Sequence, residues 1–390
     1  MVPVDRGRKV MLAVSAALVG FILLGGVLGR SLAVEGTYSF LKLFNEVLYL
    51  VRNNYVEPVK DDALMEGAYR GMLEALDPQS EYLDAEDAKR AAKNVRSGVA
   101  DAGVVLSKRR GYAVIVSAME GSPAQKTGLG TGDIILTING KSTLWMGAWK
   151  ATQALQGRPG SEVRLSVIRS SEARSEEVRM ARKLPLKSPL ATGLPQPGTG
   201  LLRLGSVQDG DAERVRKALS TLKAQGVSRL LLDLRSNAGT SVDEAVRIAG
   251  LFTGPGTVAR LTNRKTGTTE LKAPASPPVF TGPLALLVDA GTAEAAEILA
   301  AAMRDRASAV LVGEKTWGMG TVQRVIPLPA GDGIRLSVGK YLSPAGKEWN
   351  GTGLSPDVLQ EKGTGPGTED RQLRRALEVL SKGSEERKAA

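Results

Sequence analysis

The chain has 390 residues, 42% of them hydrophobic, which is enough for two or three separate cores at about 100–200 residues per domain. It contains neither cysteine nor histidine, so disulfide scaffolds, thiol nucleophiles, zinc knuckles and the base of Ser-His-Asp catalysis are excluded, and no metal or cofactor is implied. The formal net charge of +11 would suit an anionic surface, yet no zinc-finger, RRM or helix-turn-helix signature accompanies it and aromatics are only 4% of residues; a solvated basic surface is expected, with no nucleic-acid partner.

In chain order, Arg6, Arg8 and Lys9 precede an uncharged run, VMLAVSAALVGFILLGGVLG, at residues 10–29. Its length matches about 30 Å of hydrocarbon, and the basic residues before it predict a membrane helix with the amino terminus inside and the rest outside the cytoplasm. SLA at 31–33 offers a small-x-small cleavage site, so residues 1–35 are either an uncleaved anchor or a signal. Residues 36–95 space apolar side chains as a helix does, for example Leu64, Ala68, Met72 and Leu76, until Asp77-Pro78 interrupts them; a helical domain is expected. Between 96 and 180 the pattern turns to short β-rich runs parted by Gly-rich turns, with one helical segment near 147–156. Residues 181–200, rich in Pro and Gly, read as a linker. From 201 to 358 strands alternate with helices: RLLLDLR (229–235) before SVDEAVRIAGLF, LALLVDA (284–290) before a helix at 293–305, then AVLVGEK. That alternation predicts an α/β core, and residues 359–390 a tail with one amphipathic helix around 370–382. The fold class expected is multidomain α+β.

Residues 120–143, EGSPAQKTGLGTGDIILTINGKST, resemble a PDZ domain in the Gly-Ser-Pro-Ala turn, the Gly-Asp-x-Ile stretch and the Ile-Asn-Gly hairpin, with Thr127 where alanine is usual. PDZ domains take up an extended peptide as an added strand and hold its terminal carboxylate with backbone amides. The resemblance places the binding loop at Ala102, Gly103, Val104, Val105 and Leu106, where Ala102-Gly103 stands in for a Gly-hydrophobic-Gly sequence. A PDZ fold used only for internal packing is the other reading. Around this unit, YVEPVKDDALMEGAYRGMLEALDPQSEYLDAEDAK (55–89), LLLDLRSNAGTSVDEAVRIAGLF, VGEKTWGMGTVQ and RLSVGKYLSPAGKEWNGTGLSPDV occur in the order found in the carboxyl-terminal processing peptidases, or tail-specific proteases. The likeness runs over about residues 36–358, and it implies a core of the ClpP/crotonase type.

Active members of that family use a serine nucleophile and a lysine base whose amine burial leaves neutral. Their GSASASEI turn here reads GTAEAAEI, which puts Glu294 at the nucleophile position, and GEKTFGKG reads GEKTWGMG, which puts Met319 at the base position. Gln323 matches the glutamine that orients the base. Gly239 and the amide of Ala295 match the oxyanion-hole positions, with Thr240 replacing the second glycine of NPGG. A glutamate nucleophile would give a mixed anhydride from an amide, and a glutamate base for water normally needs a metal. DAGT at 289–292 supplies one carboxylate where aspartic proteases share a proton between two. Thr292 with Lys315 is the remaining candidate pair. Thr292 otherwise reads as a helix cap, with Glu294 in the first turn, where the dipole favours a carboxylate by about 0.3–1 kcal/mol. Met319 reads as an apolar filler.

These residues together predict a pseudoprotease, membrane-anchored and extracytoplasmic in a bacterial periplasm or cell envelope. Its expected partners are polypeptide C-termini or unfolded segments, the membrane, and either further copies of itself or an active relative. The alternatives are an active serine-type or unconventional endopeptidase that processes protein C-termini, and a structural envelope protein assembled through the helical domain.

Overall fold

The structure is a computed structural model that describes residues 14–16, 18–19, 38–93, 99–170, 174–185, 187, 189–363 and 370–389. It divides into two units, Met1–Tyr69 and Arg70–Ala390. In the first, helix α1 (38–54) leads to α2 (Asp61–Glu74), whose first turn carries Asp61 and Asp62, the charge that a helix N-terminus favours. Arg52 pairs with Asp61 at 3.2 Å. Helix α1 leaves Phe40, Leu41, Leu43, Val47 and Leu50 exposed. The apolar run at 10–29 falls, apart from five residues, outside the described residues, and among those described no helix is long and apolar enough to cross a membrane.

The second unit opens with the end of α2, a turn, strand β1 (Glu81–Leu83) and α3 (Ala85–Lys93). The turn at LDPQS closes on Asp77, whose Oδ1 accepts the N–H groups of Gln79 and Ser80. A mostly antiparallel β layer follows: β2 (Val104–Arg109), β3 (Tyr112–Ala118), the short α4 (Pro123–Lys126), β4 (Ile134–Ile138), β5 (Lys141–Ser142), α5 (Ala148–Leu155), β6 (Glu162–Ile168) and β7 (Ser175–Ala181). The strands lie in the order β2-β3-β4-β6-β7, with β5 on β4, so β2 and β7 are edges. In β6 Val163, Leu165 and Val167 point inward while Glu162 and Arg164 point out, the period-two pattern of a sheet with one buried face. Ala151 and Leu155 of α5 close the same core with Leu106, Ile115 and Ile135.

The remaining elements are β8 (Leu190–Gln196), β9 (Thr199–Leu204), α6 (Asp211–Ala224), β10 (Arg229–Asp233), β11 (Ala238–Gly239), α7 (Val242–Thr253), β12 (Gly256–Asn263) and β13 (Gly267–Ala273). They continue as β14 (Leu284–Val288), β15 (Ala293–Glu294), α8 (Ala295–Ala307), β16 (Val310–Gly313), β17 (Thr321–Pro327), β18 (Gly333–Leu342), β19 (Val358–Leu359) and α9 (Arg371–Ala389). A six-stranded sheet, β19-β16-β14-β10-β9-β8, is parallel except for the β8–β9 hairpin. Both of its faces are covered, which explains the unbroken apolar runs. Leu230, Leu232, Leu284, Leu286 and Val288 join a core with α6, α7 and α8, whereas Leu231, Ala285, Leu287 and Val312 meet Ala376, Leu377 and Leu380 of α9. Each such leucine contributes about 1.5–3 kcal/mol by leaving water. A second sheet, β1-β18-β12-β13 with β17 on β18, packs against α7 and α8, where Val258, Ala259 and Ala273 enter the same core.

One expectation is corrected. Residues 190–196, within the stretch read as a linker, form β8, an edge strand of the core sheet. Its register slips between Gly193 and Gln196, around Pro195, and an edge is where a residue lacking an N–H is tolerated.

Candidate functional site

The site is built on the turn between β14 and α8. Thr292, fully buried, donates from Oγ1 to the carbonyl of Leu234 (2.8 Å) and accepts the N–H of Asp289 (3.0 Å). Asp289 in turn accepts the N–H groups of Ser236 (2.8 Å) and Gly291 (3.0 Å), and burial pushes its carboxyl up. These bonds lock the turn and lead into a parallel bridge in which Ala238 faces Ala293 and Gly239 faces Glu294. Glu294 itself is the N-cap of α8, with φ 52° and ψ −122° and no side-chain capping bond. The expectation that Thr292 caps the helix and Glu294 sits comfortably in its first turn is therefore corrected. The threonine hydroxyl is spent inside the turn, and the glutamate occupies a left-handed backbone region that costs a non-glycine residue about 1–3 kcal/mol. A strained strand-to-helix elbow of this kind presents its side chain outward.

Glu294 and Ala295 line a cleft of about 800 Å³ together with Thr240, Met319, Gln323, Arg335 and Tyr341. The hydroxyl of Tyr341 is pushed up by burial and by the negative charges of Asp243 and Glu294. Met319 is half-buried and packs with Trp317 against Val116, Ala238 and Ala293, an apolar setting for a thioether. Gln323 is held by three neighbours: Nε2 donates to Thr321 Oγ1 (2.7 Å) and Ser337 Oγ (3.3 Å), and Oε1 accepts from Arg335 (3.2 Å). Gly239 cannot carry a side chain here, since a Cβ would lie 2.4 Å from both the backbone nitrogen and the Cβ of Val207. Glu294, Met319, Gln323, Gly239 and Ala295 thus belong to one neighbourhood. Thr292 and Lys315 do not form a pair: the threonine is fully buried and hydrogen-bonded inward, and the lysine is exposed.

Two carboxylates escaped the sequence reading. Glu297, in the first turn of α8 and fully buried, accepts the hydroxyl of Thr316 and the N–H groups of Gly318 (2.8 Å) and Met319 (2.8 Å), so it fixes the loop that carries Met319. Burial pushes its carboxyl up to about 7. The signal was present, because the Glu-Ile that closes GTAEAAEI is unchanged from the family turn. Glu81 of β1 accepts the first amides of α5, Trp149 N–H at 2.9 Å and Lys150 N–H at 3.3 Å, and lies 3.6 Å from Arg335, which reaches Gln323. Burial pushes its carboxyl up against the pull of Arg335. No motif announces that link, since its members lie in three separate stretches of chain.

The residues expected to bind peptide lie on and before β2, in the β layer. Ala102 and Leu106 are buried in its core; Gly103, Val104 and Val105 are partly accessible. Val105 turns to the opposite face and packs in the Val116, Ala238 and Ala293 cluster beside Met319. Strand β3 adds a hydrogen bond from Ser117 Oγ to the carbonyl of Ser236 (2.6 Å), so the β layer walls the elbow on one side.

Against known proteins, the chain matches three family models: Peptidase family S41 at residues 198–360, PDZ domain at 114–169, and Activating protease CtpB N-terminal domain at 30–87. It is 30% identical over 336 residues to the carboxy-terminal processing protease CtpA of Bacillus subtilis, covering 86% of this chain and 72% of that one. To a carboxy-terminal-processing protease of Bartonella bacilliformis it is 27% identical over 363 residues, covering 91% and 83%. Among solved structures, a photosystem II D1 C-terminal processing protease superposes with a TM-score of 0.69 at 26% identity, over 88% of this chain and 91% of that one.

Proposed function

The chain belongs to peptidase family S41, among the carboxy-terminal processing proteases, and on that premise we propose that it holds polypeptide without cutting it. Its PDZ and protease domains fit the binding of polypeptide C-termini. The observation that carries the proposal is the pair of side chains at the elbow and facing it: an acid at Glu294 and a thioether at Met319, both on the one cleft. Acyl transfer needs a nucleophile that can lose a proton and a base that can take it, and a thioether does neither. The separation of Thr292 from Lys315 removes the remaining pair for a rebuilt mechanism. An oxyanion hole at Gly239 and Ala295 would stabilise only charge that develops, so it supplies no rate by itself.

The setting proposed for this activity is extracytoplasmic, with the run at 10–29 as membrane anchor in a bacterial cell envelope. The exposed apolar side chains of α1 support assembly with a second copy or with an active relative. The test is incubation of the full chain in detergent with an unfolded, apolar-tailed protein, alongside a Glu294→Ser plus Met319→Lys variant, with products read by mass spectrometry. Cleavage by the double variant alone is the expected result. Cleavage by the native chain that is lost on changing Glu294 or Thr292 would overturn the proposal and establish an unconventional peptidase.

A further inference from the structure

The residue before Ala102-Gly103, where the family sequence has the first glycine of its Gly-hydrophobic-Gly loop, is Asp101. Its main chain is stitched on both sides of the loop. Ala100 and Gly157 exchange N–H and carbonyl at 3.2 and 2.9 Å, and Asp101 and Lys183 do the same at 2.9 and 3.0 Å. From that fixed backbone the Asp101 carboxylate folds forward and accepts the N–H of Gly103 at 2.8 Å. The peptide groups on both sides of Gly103 are held in place, because the carbonyl of Ala102 accepts the N–H of Ala124 (3.0 Å) and that of Gly103 accepts the N–H of Met119 (2.8 Å). Among the described residues Asp101 has no ion-pair partner, and burial pushes its carboxyl up against that single backbone hydrogen bond. The carboxylate is thus held at a site that does little to favour its charge. Immediately downstream, β2 is an edge strand with α5 packed beside it, the geometry in which an extended segment can add to the sheet.

We propose that Asp101 is a resident carboxylate that occupies the loop amide a terminal carboxylate would take, so that this PDZ domain holds extended polypeptide by its main chain without reading a free C-terminus. The physical reason is twofold. An incoming acid finds the Gly103 donor already satisfied, and it meets a like charge at hydrogen-bond distance, whereas an amidated or internal segment meets neither obstacle. Strand addition is left to the first half of β2, before Ser107 and Lys108 meet Gln79 and Glu74, so affinity comes from backbone pairing along that edge.

The inference rests on the reading that this chain binds polypeptide. Its test is fluorescence anisotropy with the full chain in detergent and one short, apolar-ended peptide made both as free acid and as C-terminal amide. The native chain is expected to bind the two within about threefold of one another. Asp101→Ala is expected to bind the acid about tenfold more tightly than the native chain does, with the amide unchanged, the size of one regained charge-assisted hydrogen bond. Asp101→Asn keeps an acceptor but loses the charge, and should move the ratio the same way by less; it serves should the alanine variant fail to fold. A native preference for the acid of tenfold or more, or a ratio that neither folded variant moves, would overturn the inference and leave polypeptide binding standing. Absence of binding by every form of the chain would overturn both.

Discussion

Two opposing effects meet on the Glu297 carboxyl. It is fully buried, which pushes it up to about 7, while the hydroxyl of Thr316 and the N–H groups of Gly318 and Met319 favour its charged form. A folded-state value of about 7 against an ordinary 4.5 means that between those pH values the folded chain binds the proton more tightly than the unfolded one. The group's contribution is therefore fully present below pH 4.5 and is lost as pH rises through about 7, roughly 3 kcal/mol in all at about 1.4 kcal/mol per pH unit. Glu297→Gln cannot ionise and keeps one acceptor oxygen, but its NH2 group cannot accept, so the N–H of either Gly318 or Met319 loses its partner at every pH. The lost acceptor costs about 1–3 kcal/mol at every pH, and on top of it the variant should gain on the native chain by roughly 3 kcal/mol, or on the order of 5 °C in thermal midpoint, between about pH 5 and about pH 8.5. Midpoints of both forms, followed by circular dichroism across that range, give a difference from which the other titrating groups cancel. A difference that stays flat, or that turns toward the native chain as pH rises, would mean that the hydrogen-bond donors around Glu297, the N–H of Glu294 among them, outweigh burial, and the reasoning would fail.

Gly239→Ala places a methyl 2.4 Å from the backbone of Val207, an obstacle no rotamer can relieve, and should cost about 1–3 kcal/mol or more of stability. An unchanged thermal midpoint would show that β11 can move away from Val207. Glu81→Ala strips the carboxylate from the first amides of α5 and leaves Arg335 without that partner, so amide exchange over residues 147–155 should accelerate about tenfold or more in deuterium-exchange mass spectrometry. Protection equal to that of the native chain would remove Glu81 from the link between α5 and the cleft.

What was legible in the sequence follows from where each residue's environment is decided. LLLD of β10 and LALLV of β14 announce strands covered on both faces, because a strand with helices on either side needs an apolar residue at every position. The exposed edge strand β8 needs no such pattern, so its Pro and Gly read as linker although its backbone pairs with β9. Glu294 shows the same division at the site. That an acid stands at the nucleophile position is visible in eight letters, but its φ of 52° comes from the bridge to Gly239 and the bonds of Thr292 to Leu234 and Asp289, partners some 50 residues or more away or hidden in the turn. The elbow is therefore a property of the surrounding fold, and it persists whichever side chain stands on it. That separation gives the double substitution at 294 and 319 its meaning: the backbone at 294 is held by residues that neither change touches, so the variant tests the two side chains on an unaltered turn.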